Sequence, residues 1–390
     1  MPGRSRTLTA IAVAAIVAAA AGAPAARPQE PPAGGPPATQ ATPAPSQPSP
    51  SPDNAAAKLK SRMFRITMRY EFDPLDKRLQ SMEFWFPLPI EDSVQQVYNR
   101  RFETAYDTEQ FLAADTGNRT LHMKCGPRGG VPMRVNLSFD VERFEDLRHG
   151  MKPAAKPPSK EEEKALFERW LRAERLTPLD REVKSQASRV VSRKKAPIEK
   201  ARAIYDHLVT KMTVLEDAKQ SPGAGYGDVP LTLRQMKGNA TDIAAVFVAL
   251  CRAEGIPART VLGFKLPESG YAIGLRAYHS WAEFYLQGVG WVPVDPAEAY
   301  RNVSRRDFYF GGLDENRVSF SVGRDIILLP PQQGEPLNYW IDGYWEGDGQ
   351  PMPLPGFDIR YEHKAEIPNK IIPLVPAIKP TQPPSPKNKP

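Results

Sequence analysis

The stretch "MKGNATDIAAVFVALCRAEGIPARTVLGF", residues 236–264, limits the fold more than any other part of the chain. From about Thr241 to Glu254 it is apolar on nearly every face, and a helix of that kind needs neighbours all round it. Gly255 suits the helix end, Pro257 prevents continuation, and "ARTVLGF" then reads as a strand. Such a helix is the centre of a domain, so the flanking segments must supply the layers that enclose it.

Upstream, Ser159 and Glu162 have the spacing of a capping box opening the helix "KEEEKALFERWLRAE". Two further helices are expected near 180–193 and 197–212. Pro197 fits the first turn of the second, and Ala201, Ile204, Leu208 and Val209 form its inward stripe. A Gly-rich loop, "EDAKQSPGAGYGDVP", precedes the central helix. Downstream, "ARTVLGF", "YHSWAEFYL" and "GWVPVD" are short, rich in aromatic and β-branched residues, and divided by Gly. Helices first and antiparallel strands second make an α+β domain.

Residues 61–147 have a different period. "MFRITMRYEF" puts Phe64, Ile66, Met68 and Tyr70 on one face, and "VNLSFDVERF" does the same with Val135, Leu137, Phe139 and Val141. "SMEFWFPLPIED" reads as a strand stopped by Pro87 and Pro89, and Gly117-Asn118 is a hairpin signal. Short strands without helical period predict a small β-sandwich. The expected division is a signal peptide at 1–26, a Pro-rich linker at 27–57, a β-sandwich at 58–150, an α+β domain at 159–350, and an extension with a Pro/Lys-rich tail at 351–390.

The ends carry the targeting information. Arg4 and Arg6 precede "LTAIAVAAIVAAAA", and small residues near Ala23 to Ala26 suit cleavage. The run is shorter than the ~20 apolar residues a spanning helix needs, which favours a cleaved signal over a signal anchor. No stable membrane span is expected after its removal, and a periplasmic or secreted bacterial protein follows. The absence of Cys after the run excludes a lipoprotein anchor.

Two cysteines, Cys125 and Cys251, fall in different expected domains and are read as buried thiols rather than a disulfide. No His/Cys cluster suggests a metal site, and no cofactor is implied. The formal net charge of +7 is dispersed among acids along the helices, with no basic stripe interleaved with aromatics. A nucleic-acid partner is therefore not expected.

Taken in order, "PIEKARAIYDHLVTKM", "GNATDIAAVFVALCRAEGIPARTVLGF", "YHSWAEFY", "GWVPVDPAEA" and "GRDIILLP" resemble the bacterial transglutaminase-like superfamily, from about residue 58 to 350. The resemblance implies a papain-like core behind an N-terminal β-sandwich. It also implies thiol chemistry: a Cys at a helix N-terminus, where the dipole favours the thiolate, paired with a His that an Asp orients. By motif the His is His279 and the Asp is Asp295. Asn239, Tyr278 and Trp281 flank them as candidate binding residues. The family's Cys, in a "GNCTD" context, falls on Ala240.

No neighbour is expected to replace the missing thiol. Cys251 lies about three helical turns further on, within the apolar stripe. Thr241 turns ~100° away on the helix. Asp242 suits the helix dipole, and Ser280 alternates to the other sheet face from His279. Two readings account for Ala240: a natural pseudoenzyme, or an engineered Cys replacement in an active cysteine acyltransferase or protease. Relatives of this pattern tend to read "TDFHS" and "YHCW", and often carry Trp where Ala224 stands. Several positions at the site thus differ together, which favours natural loss. The expected function is binding of a peptide, a protein or an amine-bearing envelope polymer in the vestigial cleft. A passive spacer held on Pro-rich tethers is the structural alternative.

Overall fold

Alternating burial along β1 (Ser61–Phe72) builds one wall of the first core. Phe64, Ile66, Met68 and Tyr70 point inwards, and their neighbours face out. The computed structural model describes residues 59–73, 78–126, 132–150, 158–216, 223, 225–268, 272–273, 278–354, 356–367 and 369–370. The expected signal peptide, the Pro-rich linker and the tail from 371 onwards lie outside the described residues.

Five more strands follow: β2 (Met82–Leu88), β3 (Gln95–Glu103), β4 (Thr108–Leu112), β5 (Arg119–Cys125) and β6 (Met133–Phe144), with a short β7 (Asp146–Leu147). Gly117, at φ 76°, makes the turn between β4 and β5, as the Gly-Asn pair predicts. β2 does not stop at Pro87 but runs through it to Leu88. Pro87 pairs with Thr120 of β5, while the neighbour on the other side ends at Trp85, so no ladder hydrogen bond is required of the missing N–H.

The helical half contains α1 (Lys160–Trp170), α2 (Arg181–Val191) and α3 (Pro197–Lys211). Ser159 and Glu162 form the predicted capping box, and Pro197 opens α3. After β8 (Thr213–Val214), α4 (Val229–Gln235) and β9 (Lys237–Gly238) comes α5 (Ala240–Ala253). Every residue of α5 except Thr241 and Ala253 is buried. Its one buried cation, Arg252, reaches Glu174 at 2.9 Å and the carbonyls of Ala258 and Arg172. That compensation is what allows a charge at this depth.

The sheet beside α5 has the order β13-β12-β10-β15, all antiparallel, from β10 (Ala258–Lys265), β12 (Tyr278–Leu286), β13 (Gly290–Val294) and β15 (Arg317–Val322). Between them lie β11 (Ala272–Ile273), α6 (Pro296–Arg301) and β14 (Gly312–Leu313). The architecture is α+β.

One boundary needs correcting. The chain returns to the sandwich with β16 (Tyr344–Gly347), β17 (Gln350–Pro351) and β18 (Gly356–Lys364). β18 pairs with β1 along nine residue pairs from Met63–Lys364 to Glu71–Gly356, and β16 pairs with β2. The sandwich sheets are therefore β11-β18-β1-β6-β3 and β17-β16-β2-β5-β4. What sequence reads as the end of one domain plus an extension completes the other domain, because Ile359 and Tyr361 fill the same core as Ile66 and Phe139. Gln95 locks the two parts together: its amide donates to Ser319 O at 2.9 Å and accepts from Ser319 N at 2.9 Å.

Candidate functional site

Gly238 and Asn239 bring the chain into α5 with its first donors satisfied. Asn239 Oδ1 accepts from Thr241 N at 2.9 Å and from Asp242 N at 3.3 Å, while Asp242 Oδ2 accepts from Asn239 N at 2.9 Å. This reciprocal capping box fixes Ala240 as the first helical residue, nearly buried. Asn239, a candidate binding residue by sequence, thus has its side-chain oxygen committed to the cap.

Asp242 does more than complement the helix dipole. Its carboxylate also accepts from Gly225 N at 2.7 Å and Gly227 N at 2.8 Å, clamping the Gly-rich loop onto the helix start. Both glycines have positive φ, 91° and 67°, a conformation that side chains resist. Arg324 grips the same loop from the other side, donating to Gly227 O at 2.6 Å, Tyr226 O at 2.7 Å and Thr177 Oγ1 at 2.8 Å. Ala224 lies outside the described residues.

The His arrives from the strand. His279 is the second residue of β12 and its Nε2 stands 2.6 Å from Asp295 Oδ2. Asp295 follows β13 and caps α6, accepting from Glu298 N at 3.0 Å. Arg317 Nη1 donates to the same Oδ2 at 2.6 Å, and both side chains are fully buried. Burial opposes ionisation of Asp295, but His279 and Arg317 outweigh it and hold the carboxyl well below the usual carboxylate range. An ionised Asp295 only accepts, so His279 donates from Nε2 and presents Nδ1 as its second nitrogen.

Thr241 joins the two elements. Its Oγ1 lies 2.9 Å from Ser280 Oγ, so the residues after Ala240 and after His279 touch. Further along, Phe247 meets Phe284 at 6.2 Å between ring centres. Sequence alternation assigns the helix-facing side of β12 to His279, Trp281 and Glu283, and these contacts correct that assignment: α5 touches the strand through Ser280 and Phe284. Gly263, the partner of His279 on β10, sits at a register shift where a Cβ would come within 1.8 Å of Val318 O. Only glycine allows that approach.

Of the other candidates, Tyr278 is partly exposed and donates its hydroxyl to Asp342 Oδ1. Trp281 is corrected: it is buried between the His279 ring and the Arg317 guanidinium, at 6.4 and 5.5 Å, and offers no contact surface. Its hydrophobic area is better hidden than presented. Arg317 and Arg324, which hold Asp295 and the loop, were not singled out as site residues from sequence. Arg324 stands in the matched "GRDIILLP", but nothing near Arg317 in sequence marks it. Cys125 and Cys251 are both buried and do not form a disulfide, and burial pushes the Cys251 thiol well above its ordinary value. The arrangement can orient an imidazole through Asp295. At Ala240 it holds a methyl group, which has no lone pair to give.

Residues 184–296 match the transglutaminase-like superfamily. An uncharacterized protein from Haemophilus influenzae is 29% identical over 329 residues, covering 75% of this chain and 88% of that protein. Among solved structures, a Cytophaga hutchinsonii protein proposed to be a cysteine protease is similar with a TM-score of 0.50. It is 14% identical and covers 80% of this chain and 94% of its own. The periplasmic domain of TgpA from Pseudomonas aeruginosa is similar with a TM-score of 0.33 at 16% identity, covering 63% of this chain and 90% of that one.

Proposed function

The chain is a transglutaminase-like superfamily protein, and on that premise we propose that it is an exported pseudoenzyme. Its groove binds a peptide, a protein segment or an amine-bearing envelope polymer without acyl transfer. The observation that carries this reading is Ala240, at a helix start otherwise fully built by Asn239 and Asp242. His279 and Asp295 are then the vestigial acid–base pair, retained because Asp295 also compensates the buried Arg317. Export rests on Arg4, Arg6 and the apolar run with small residues after it. No helix among the described residues is long and apolar enough to cross a membrane.

The test is amine incorporation into a glutamine-bearing peptide by the purified chain. No incorporation is expected, and activity abolished by iodoacetamide would overturn the reading.

One observation favours a second reading. Asp295 still holds His279 as a working thiol enzyme would need, with His279 and Arg317 both 2.6 Å from its Oδ2. An engineered replacement of Cys by Ala in an active cysteine acyltransferase or protease accounts for that equally. The sequence of the source gene at codon 240 decides between the two.

A further inference from the structure

Beside the helix start is a set of aromatic side chains that the His–Asp pair does not use. Tyr226 belongs to the clamped Gly-rich loop: Arg324 and Asn338 both donate to its carbonyl, at 2.7 and 2.8 Å, while more than half of its side chain stays in solvent. A ring held out on a fixed backbone is preorganised for contact. Asn338 starts a short segment that continues through half-buried Tyr339 to Asp342, and Asp342 accepts from the partly exposed Tyr278. Residues 338–342 therefore bridge the loop of Tyr226 to the strand of Tyr278.

The chemistry of this rim is narrow. Tyr278 spends its hydroxyl on Asp342, and the Asn338 amide is used on Tyr226 O and Arg324. Ring faces remain, with the Asp342 carboxylate and the hydroxyls of Tyr226 and Tyr339, which have no partner among the described residues. A saccharide needs more planar hydrogen-bonding groups than that. A polyproline II strand needs just this set: ring faces for its prolines, hydroxyl donors for its unpaired carbonyls, and an acid for a flanking cation.

We propose that Tyr226, Tyr278, Tyr339 and Asp342 form a docking rim for the chain's own segment "KPTQPPSPKNKP", Lys379–Pro390. The segment, which lies outside the described residues, carries Lys379, Lys387 and Lys389 and no acid, complementary to Asp342. The described chain ends at Lys370, against Glu142 at 2.7 Å. From there residues 371–378 span ~25 Å at ~3.1 Å each when extended, and the segment itself adds ~37 Å. Tethering raises the local concentration of the segment to about millimolar. The proposal rests on reading the groove as a peptide-binding cleft.

The experiment titrates fluorescein-labelled KPTQPPSPKNKP peptide into three full-length proteins. They are the unmodified chain, a tail variant with Pro380, Pro383, Pro384 and Pro386 each changed to Ser, and that tail variant with Tyr226→Ala added; a fourth protein carries Asp342→Asn in place of Tyr226→Ala. The tail variant is expected to bind the peptide at least ~10-fold more tightly than the unmodified chain, whose own segment competes. Tyr226→Ala, an exposed side chain whose loss leaves the core intact, is expected to weaken binding by roughly tenfold. Asp342→Asn is expected to remove most of its salt dependence. No binding to the tail variant, or binding unchanged by Tyr226→Ala, overturns the proposal. Equal affinity for tail variant and unmodified chain also overturns it and assigns the rim to a separate partner. None of these outcomes bears on the absence of acyl transfer, which amine incorporation tests alone.

Discussion

Thr241 Oγ1 stands 2.9 Å from Ser280 Oγ, so the residue after Ala240 is tied to the residue after His279. A single hydroxyl pair thus ties the first turn of α5 to β12 one residue past the imidazole.

Ala240→Cys should place a thiol at a helix N-terminus beside His279. Its alkylation by iodoacetamide, followed against pH, should show a midpoint below the ordinary thiol value of about 8.5. His279→Ala in the same background should return the midpoint towards that value. An ordinary midpoint in both proteins would mean that more than the nucleophile has been lost.

The native thiols should be inert in comparison. Cys251 is fully buried in α5, and desolvation holds its proton on in spite of Arg252 nearby. Cys125 is buried in the sandwich core. A colorimetric thiol reagent added to the folded chain should titrate neither within minutes, and both only after denaturation. Rapid release of a full equivalent from native protein would contradict the packing of α5.

Asp295→Asn should destabilise the chain by about 3 kcal/mol at neutral pH, because it leaves the buried Arg317 with Asp314, at 3.6 Å, as its remaining ion-pair partner. The folded carboxyl titrates below the unfolded value of about 3.9. Its stabilisation is therefore complete above that value and is lost only as pH falls through the lower folded one. The gap between wild-type and variant urea midpoints should hold from pH 7 to about pH 4 and narrow from there down to pH 2. A gap that stayed constant would remove the charge argument.

Asp242→Ala should release the loop as well as the cap. Three backbone N–H groups, of Gly225, Gly227 and Asn239, lose a charged acceptor, at a cost on the order of 3 kcal/mol. Hydrogen exchange should rise at Gly225 and Gly227 before it rises in the middle of α5. Equal protection across both segments would show that Arg324 alone holds the loop.

Gly263→Ala puts a methyl group 1.8 Å from Val318 O, where backbone rather than a flexible side chain must yield. A loss of about 3 kcal/mol or more is expected, read as a lower denaturation midpoint. Retention of wild-type stability would mean that β10 and β15 can part at their register shift.

Local sequence alone determined the elements and the frame of the site. The all-apolar face of α5, the box at Ser159 and Glu162, and the alternation of Phe64 to Tyr70 each follow from periods and caps that span a few residues. Ala240, His279 and Asp295 each sit in a short motif, and the contact of His279 with Asp295 joins two of those motifs. What only the tertiary structure decided joins residues far apart in the chain: β18 closing on β1, Arg317 completing Asp295, and Asp242 clamping Gly225 and Gly227. It also decided that α5 meets β12 through Ser280 and that Trp281 is hidden, because a strand has two faces and its alternation does not say which one a helix will cover.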